Sequence, residues 1–507
     1  MARNRKRPRW GRLFSLALVA VLVGTGWWHT TKPLPPGLHV SAGLTPVPPE
    51  SIQLLTDVTA HTNQAEPVFA QGIHTATLEL IRDARDFLVL DYFLFNEQGG
   101  PKGRLRYEAG IRPVARELRE ALLALRRTQP DLPILLLIDP INGYYQGTQP
   151  VEMSELTQAG VQIVVVNLDP LRDSNPVYSS PWRLLARWWL HTGVNGGWSN
   201  PLDGNGPELS LGSLLRLPNF KSDHRKVALT GDGAGSLVGI VSSGNPHDAS
   251  SAHSNVALRL QGEALRPLLE SELAIARFSD RTDTAIQKAA TRASVGTPRT
   301  GVVTSVPADA TRVAIVTEGA IRERLVDALA GTKSGDSIDI AMFYLSDRPV
   351  IDALMEAARR GAAVRVLLDP NKDAFGFEKS GLPNREVASE LVAASSGTIK
   401  VRWYRTHGEQ FHAKLAAIRS GTQLWLTLGS ANFTRRNLAD YNLEANVIVT
   451  APAGSPIDAE VLGWFEMLWH NHPGGIEYTA DADLYADPSQ GRYWLYRFME
   501  ATGLCTF

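Results

Sequence analysis

One short polar pattern occurs twice in this chain, and that duplication restricts the fold more than any other feature. His224-Arg225-Lys226 opens the apolar run Val227-Ala228-Leu229 and is followed by Ser243-Gly244-Asn245. His412-Ala413-Lys414 opens Leu415-Ala416-Ala417 and is followed by Gly429-Ser430-Ala431-Asn432. The His-to-Asn spacing is 21 residues in the first copy and 20 in the second. A lone His-x-Lys carries no information. Two copies, each on an apolar strand and each followed at matching distance by a small-residue turn and Asn, indicate a repeated structural unit. The same alternation precedes both. The first copy has a strand at Phe87–Phe93, an amphipathic helix near 114–127, the strand Ile134–Ile138 ending in Asp139-Pro140, and a strand at Val161–Val166. The second has a strand at Ile338–Tyr344, a helix near 350–360 and the strand Val364–Leu368 ending in Asp369-Pro370. Continuous apolar strands alternating with amphipathic helices predict an α/β fold with a mostly parallel sheet buried on both faces.

The N-terminus is of another kind. Residues 1–12 hold six basic side chains and no acid, and residues 13–28 hold no charge. A basic run before an apolar run marks a signal peptide or signal anchor. With no A-x-A cleavage site in view, and with Trp10, Trp27 and Trp28 as interfacial belts, the expectation is a single-pass transmembrane helix at 13–28. The positive-inside rule puts the basic tail 1–12 in the cytoplasm and the rest outside a bacterial-type inner membrane; cleavage of the segment would instead give a secreted protein. Residues 29–60 are Pro-rich and read as a stiff tether. Lys+Arg 51 against Asp+Glu 52 excludes a strongly cationic nucleic-acid packager. The single cysteine, Cys505, excludes a disulfide framework and a Cys-rich zinc site.

Side chains alternate along a strand, so His224 and Lys226 face one way, as do His412 and Lys414. If the halves meet about a pseudo-two-fold axis, two imidazoles and two ammonium groups converge on one pocket, with Asn245, Asn432 and Ser430 as neutral donors. That set suits a phosphoryl group, whose charge is spread over several oxygens. Two histidines on opposite sides suit in-line displacement. One attacks phosphorus as neutral imidazole, and the other protonates the leaving oxygen and then activates water or an alcohol. The lysines supply positive charge, so neither metal nor cofactor is expected. His407 and Glu409 lie near His412 but match no standard ligand spacing.

This pattern resembles the phospholipase D superfamily, which includes bacterial cardiolipin synthases and carries H-x-K-x4-D and G-S-x-N in two copies. The resemblance covers roughly residues 70–475. It implies two α-β-α sandwich halves forming a pseudo-dimer within one chain, at 61–278 and 312–475, joined by a linker at 279–311 and followed by an extension at 476–507. It implies a covalent phosphohistidine. In several members the first-half histidine is the nucleophile, which gives that role to His224 and the acid role to His412, with Lys226, Lys414, Asn245, Ser430 and Asn432 on substrate and Glu444 orienting a histidine. Three departures stand out. The motif Asp is replaced by Gly231 in one half and Arg419 in the other, and His253 falls where the first half's orienting acid was expected.

The first half is also longer between its Asp-Pro and its histidine, 85 residues against 43. The excess includes Ser180–His191, whose Trp182, Leu185 and Trp189 fall on one face of a helix, suited either to a lipid interface or to the protein's own core. The expected activity is that of a phosphodiesterase or phosphatidyltransferase on membrane phospholipids. Alternatives are an extracytoplasmic nuclease, for which Arg402, Arg405, Arg435 and Arg436 would form the basic groove, and an inactive phospholipid-binding protein.

Overall fold

Each half turns its apolar runs into seven core strands laid out in the same order. The computed structural model describes residues 9–64, 66–97, 111–145, 150, 153–202, 206–279, 310–374 and 377–507. In the first half β1 is Ile52–Thr62, β2 Leu88–Tyr92, β3 Ile134–Ile138, β4 Gln162–Val165, β5 Lys226–Gly231, β6 Leu237–Ser242 and β7 Asn255–Gln261. In the second, β8 is Arg312–Thr317, β9 Ser337–Met342, β10 Ala363–Leu368, β11 Lys400–Tyr404, β12 Lys414–Ser420, β13 Gln423–Gly429 and β14 Ala445–Pro452. The sheet orders are β1-β7-β6-β5-β2-β3-β4 and β8-β14-β13-β12-β9-β10-β11, so the repeat read from the motifs is a repeat of topology.

The expectation of a mostly parallel sheet is corrected. Only β2/β3 and β3/β4, and their counterparts β9/β10 and β10/β11, are parallel. The remaining core pairs are antiparallel, including the hairpins β5/β6 and β12/β13 that carry the motifs. Unbroken apolar strands report burial on both faces and not direction. Helices cover one face of each sheet: Ile73–Arg82 and Val114–Thr128 in the first half, Gly319–Ala330, Arg348–Arg359 and Asn384–Ala394 in the second. Between the sheets lies one shared core, in which Val227, Leu229 and Leu258 pack with Leu415, Leu426 and Val449, flanked by the helices Arg266–Ser279 and Pro456–His470.

Two isolated parallel bridges tie the halves reciprocally. Asp223 pairs with Leu443, and Phe411 pairs with Ser254. The matching hydrogen bonds run from His224 N to Leu443 O (2.9 Å) and from His412 N to Ser254 O (2.8 Å). This exchange is the signature of a pseudo-dyad. The edges are exchanged as well: Thr45–Pro46 adds to β8, and Ile476–Glu477 adds to β1.

The N-terminal helix spans Arg9–Thr31, longer than the charge-free stretch at 13–28, and is long and apolar enough to cross a membrane. Its last turn is docked. An added Cβ at Gly26 would meet Ser180 Oγ at 2.8 Å, and Asp173 N donates to His29 O at 2.8 Å. The Pro-rich segment is extended but not free, since Ala42 N donates to Ile315 O and Thr317 N to Val40 O. Strand β1 begins inside the stretch expected as tether. The extreme basic tail and most of the expected linker, at 280–309, lie outside the described residues.

Candidate active site

His224 and His412 sit two residues before β5 and β12, not on the strands, held in place by the bridges across the dyad. Lys226 and Lys414 are the first residues of those strands. Each Nζ donates back to the carbonyl of its own histidine, at 2.6 and 2.8 Å. Phe93 and Phe343 complete the two units. Their rings lie 4.9 Å from His224 and His412, and the lysine Nζ atoms lie 5.2 and 5.3 Å from the same rings. The phenylalanines follow β2 and β9 in equivalent register, a signal present in the sequence and not used.

Both histidines, with Asn245 and Asn432, line a single cavity of about 600 Å³. Asn245 Oδ1 accepts from Leu94 N at 3.2 Å, while Asn432 Oδ1 is buried with no hydrogen-bond partner. The lysines are fully buried just behind the histidines. Ser430, expected to touch substrate, does not line the cavity. It donates to Glu444 and accepts from Ala445 N. Ser243 does the same in the first half, donating to Asn255 at 3.2 Å and accepting from Val256 N.

That equivalence corrects the alignment of the orienting residues. Asn255, not His253, is the counterpart of Glu444. Glu444 Oε1 contacts His224 Nδ1 at 2.9 Å across the dyad, and also accepts from Asn437. Asn255 Oδ1 contacts His412 Nδ1 at 3.2 Å, again across the dyad. His253 is buried beside His412, with ring centroids 5.8 Å apart. The sequence alignment placed Asn255 against Asn446, two residues out, because both are Asn followed by Val.

The electrostatics follow from burial. Desolvation, offset in part by Glu444 and reinforced by Lys226, lowers His224 to about 4. Desolvation with Lys414 and His253 holds His412 well below the ordinary imidazole value. Burial works to raise Glu444, but His224 and Lys226 outweigh it and keep the carboxyl below its usual range. The site therefore pairs two neutral imidazoles with one buried carboxylate. Glu444 accepts the hydrogen bond of His224 Nδ1–H, which leaves the Nε2 lone pair available. Burial lowers Lys226 to about 8 and pushes Lys414 well below its ordinary value. An anion nearby favours the charged form of both.

The other expectations resolve as structure. Asp139 caps its loop by accepting from Ile141 N and Asp223 N, and Asp369 does so from Asn371 N and Phe411 N. Asp339 is buried and bonds Arg365 and Arg419. The two missing motif carboxylates fall at Gly231 and Arg419. These lie five residues along the strand from the lysines, roughly 17 Å at the usual rise per residue, so their identity leaves the cavity untouched. Arg402, Arg405 and Arg435 do not form a groove: Arg402 pairs with Asp481 and Arg405 with Glu477, and Arg435 donates to Tyr441 Oη. Arg436 lines the cavity, but it donates to the carbonyls of Gly503 and Cys505.

The long insertion supplies much of the cavity's apolar wall, with Tyr144, Tyr145, Leu202, Leu217 and Phe220 facing Phe343 and Tyr344 from the second half and Phe507 from the C-terminal extension. The Trp-rich segment does not form the helical face expected of it. Residues 182–186 make a wide π turn, Trp182 is buried, and Leu185, Trp188 and Trp189 are exposed at 62%, 71% and 79%.

Residues 325–469 match the family model described as cardiolipin synthase, PLD-like domain. No curated protein matches the chain. Among solved structures, the phosphatidylserine synthase of Haemophilus influenzae Rd KW20 is similar at 11% identity and a TM-score of 0.54, covering 95% of this chain and 100% of that one. Nuc from Salmonella typhimurium, described as a phospholipase D family member, is 17% identical with a TM-score of 0.27, over 34% of this chain and 99% of its own.

Proposed function

Since this chain carries a phospholipase D-like domain in its second half and has the phospholipase D fold throughout, we propose that it is a phosphatidyl-transferring or phospholipid-hydrolysing enzyme working at a membrane surface. One observation carries the reading. The two histidines open into a cavity whose polar floor is matched to a phosphodiester and whose walls are tyrosine, phenylalanine and leucine. Such walls take up the apolar parts of a lipid, and a nucleic-acid backbone calls instead for free cations along a groove.

In the proposed reaction the phosphodiester lies between the half-sites, with its oxygens facing the amides of Asn245 and Asn432 and the positive charge of Lys226 and Lys414 buried behind the histidines. His224 Nε2 attacks phosphorus, and the bond to the head-group oxygen breaks. His412, protonated once the anion is bound, gives its proton to that oxygen. Glu444 stabilises the imidazolium formed at His224. Water or an alcohol then loses a proton to His412, attacks phosphorus and releases His224.

Membrane placement rests on the apolar helix Arg9–Thr31, whose last turn is built into the domain, and on the exposed Val177, Leu185, Trp188 and Trp189 in the segment packed against it. We read the helix as a retained anchor on this ground, with the catalytic part outside the membrane. The test uses the purified full-length chain with phosphatidylglycerol vesicles and, separately, single-stranded DNA. Release of glycerol with phosphatidic acid, or formation of cardiolipin, supports the proposal. DNA cleavage without lipid turnover refutes it in favour of a nuclease, and lipid turnover that survives in His224→Gln and His412→Gln refutes the site.

A further inference from the structure

The fold assembles a cluster that the spacing along the chain does not announce. His61 lies near the end of β1 in the first half, and His407 and Glu409 lie on the loop between β11 and His412 in the second. One ligating atom from each of the three lies within 4.8 Å of the others. The two imidazole rings are 3.7 Å apart, centroid to centroid, and tilted by 42°. Glu409 is 3% exposed. Its Oε2 accepts from His407 N at 3.0 Å, while its Oε1 is buried with no hydrogen-bond partner, as is His407 Nδ1. A buried carboxylate oxygen without a donor is expensive, and a cation is what would satisfy it.

We propose that His61, His407 and Glu409 bind a divalent transition-metal ion, with Zn²⁺ the best match to their donors. Two imidazole nitrogens and one carboxylate oxygen are borderline ligands that suit zinc and do not suit magnesium or calcium, which take oxygen shells. Zinc bonds of about 2.0–2.2 Å in tetrahedral geometry put ligand atoms about 3.4 Å apart, so binding draws the three side chains inward. Water or the second Glu409 oxygen fills the fourth position.

The position gives the ion its role. It joins β1 of one half to the loop of the other that runs directly into Gln410, which lines the cavity, and His412. The ion clamps the halves and steadies the approach to His412, and it takes no part in the phosphoryl chemistry.

The test is metal binding by the full-length chain, stripped with chelator, dialysed and titrated with Zn²⁺ against a chromophoric competitor. The expected result is one zinc per chain, a higher thermal midpoint with zinc, and the visible absorption of a tetrahedral site when Co²⁺ replaces it. His407→Ala and Glu409→Gln lose the ion and the thermal shift. A chain with both His470→Ala and His472→Ala, at the other histidine pair, keeps them. His224→Gln also binds zinc as the parent does, which separates this site from the proposed catalysis. A parent chain that takes up no more zinc than His407→Ala overturns the proposal, and so does zinc lost only from the His470/His472 variant.

Discussion

Replacing Glu444 by Gln tests the division of labour between the two histidines. The carboxylate is fully buried, with Oε1 2.9 Å from His224 Nδ1 and further hydrogen bonds from Ser430 and Asn437. Glutamine keeps the shape and can still accept from the Nδ1 proton, so the ring stays in place. What is lost is the charge that faces the imidazolium formed when Nε2 takes phosphorus. A hydrogen bond to a charged group contributes about 1.5–3 kcal/mol. Two unit charges about 4 Å apart at an effective dielectric of about 20 interact by about 4 kcal/mol. A loss of about 2–4 kcal/mol in the transition state slows intermediate formation by about 30- to 1,000-fold. The assay is single turnover on phosphatidylglycerol vesicles, with quenched samples analysed for phosphohistidine. Thermal melts check that the variant is folded. Asn255→Asp serves as the comparator, because it gives His412 a carboxylate, raises its proton affinity and moves the pH dependence without removing the nucleophile. A folded Glu444→Gln chain that forms the intermediate as fast as the parent refutes the role given to this carboxylate. An intermediate that persists in His224→Gln and vanishes in His412→Gln reverses the assignment of the nucleophile.

Lys226, lowered by burial to about 8, makes kcat/KM fall as pH rises through that value, and Lys226→Arg moves the alkaline limb upward; an unmoved limb places the titration elsewhere. His224 is depressed from 6.5 to about 4 and His253 to about 3, so the unfolded chain binds more protons than the folded one below about pH 6.5. Stability is then fully present above that pH and lost on acidification toward 4, by about 3 kcal/mol for His224 alone, which denaturant titrations across the window measure. Arg225→Ala leaves the buried carboxylates of Glu272 and Glu318, now 3.0 and 2.6 Å from its guanidinium, without their counter-ion. The expected loss is about 3–5 kcal/mol, read by chemical denaturation, and a near-neutral result refutes the counter-ion role of Arg225. Replacing Trp188 and Trp189 by Ala reduces vesicle binding and leaves turnover of a soluble short-chain phosphodiester unchanged; equal losses on both substrates place these residues in the fold instead.

The repeat was legible because its signals are local. His-x-Lys, the small-residue turn and the apolar runs each occupy a few consecutive residues, and their doubling fixed the topology of half two against half one. Strand direction was not legible, because an apolar run records what covers its faces and not which way its neighbour points. The partners of the histidines were only half legible. Glu444 stood out as a carboxylate near the second motif, but it serves His224 of the first. Asn255 was hidden by the coincidence with Asn446, since a shift of two residues preserves the strand's facing and hides the error. His61 was invisible as a companion of His407 because nearly 350 residues separate them, and only the pairing of β1 beside the dyad brings them together. The family model matches within the second half, over 325–469, and the first half differs from its twin in a long insertion and in an amide where the twin has an acid.

These contacts also explain why the two halves are one chain. His224 belongs to the first half and takes its orienting carboxylate from the second. His412 belongs to the second and takes its orienting amide from the first. The backbone repeats the exchange in the Asp223–Leu443 and Phe411–Ser254 bridges, and Arg225, between the two motif residues His224 and Lys226, reaches Glu318 in the other half. Neither half can then hold a complete site. Two identical halves in a homodimer would give both histidines the same partner and the same protonation behaviour. Fusion lets the partners differ: a carboxylate where a positive charge must be stabilised, and a neutral amide where a proton must be surrendered. In the proposed reaction, the asymmetry between Glu444 and Asn255 is what assigns the nucleophile to one side of a symmetric fold and the acid to the other.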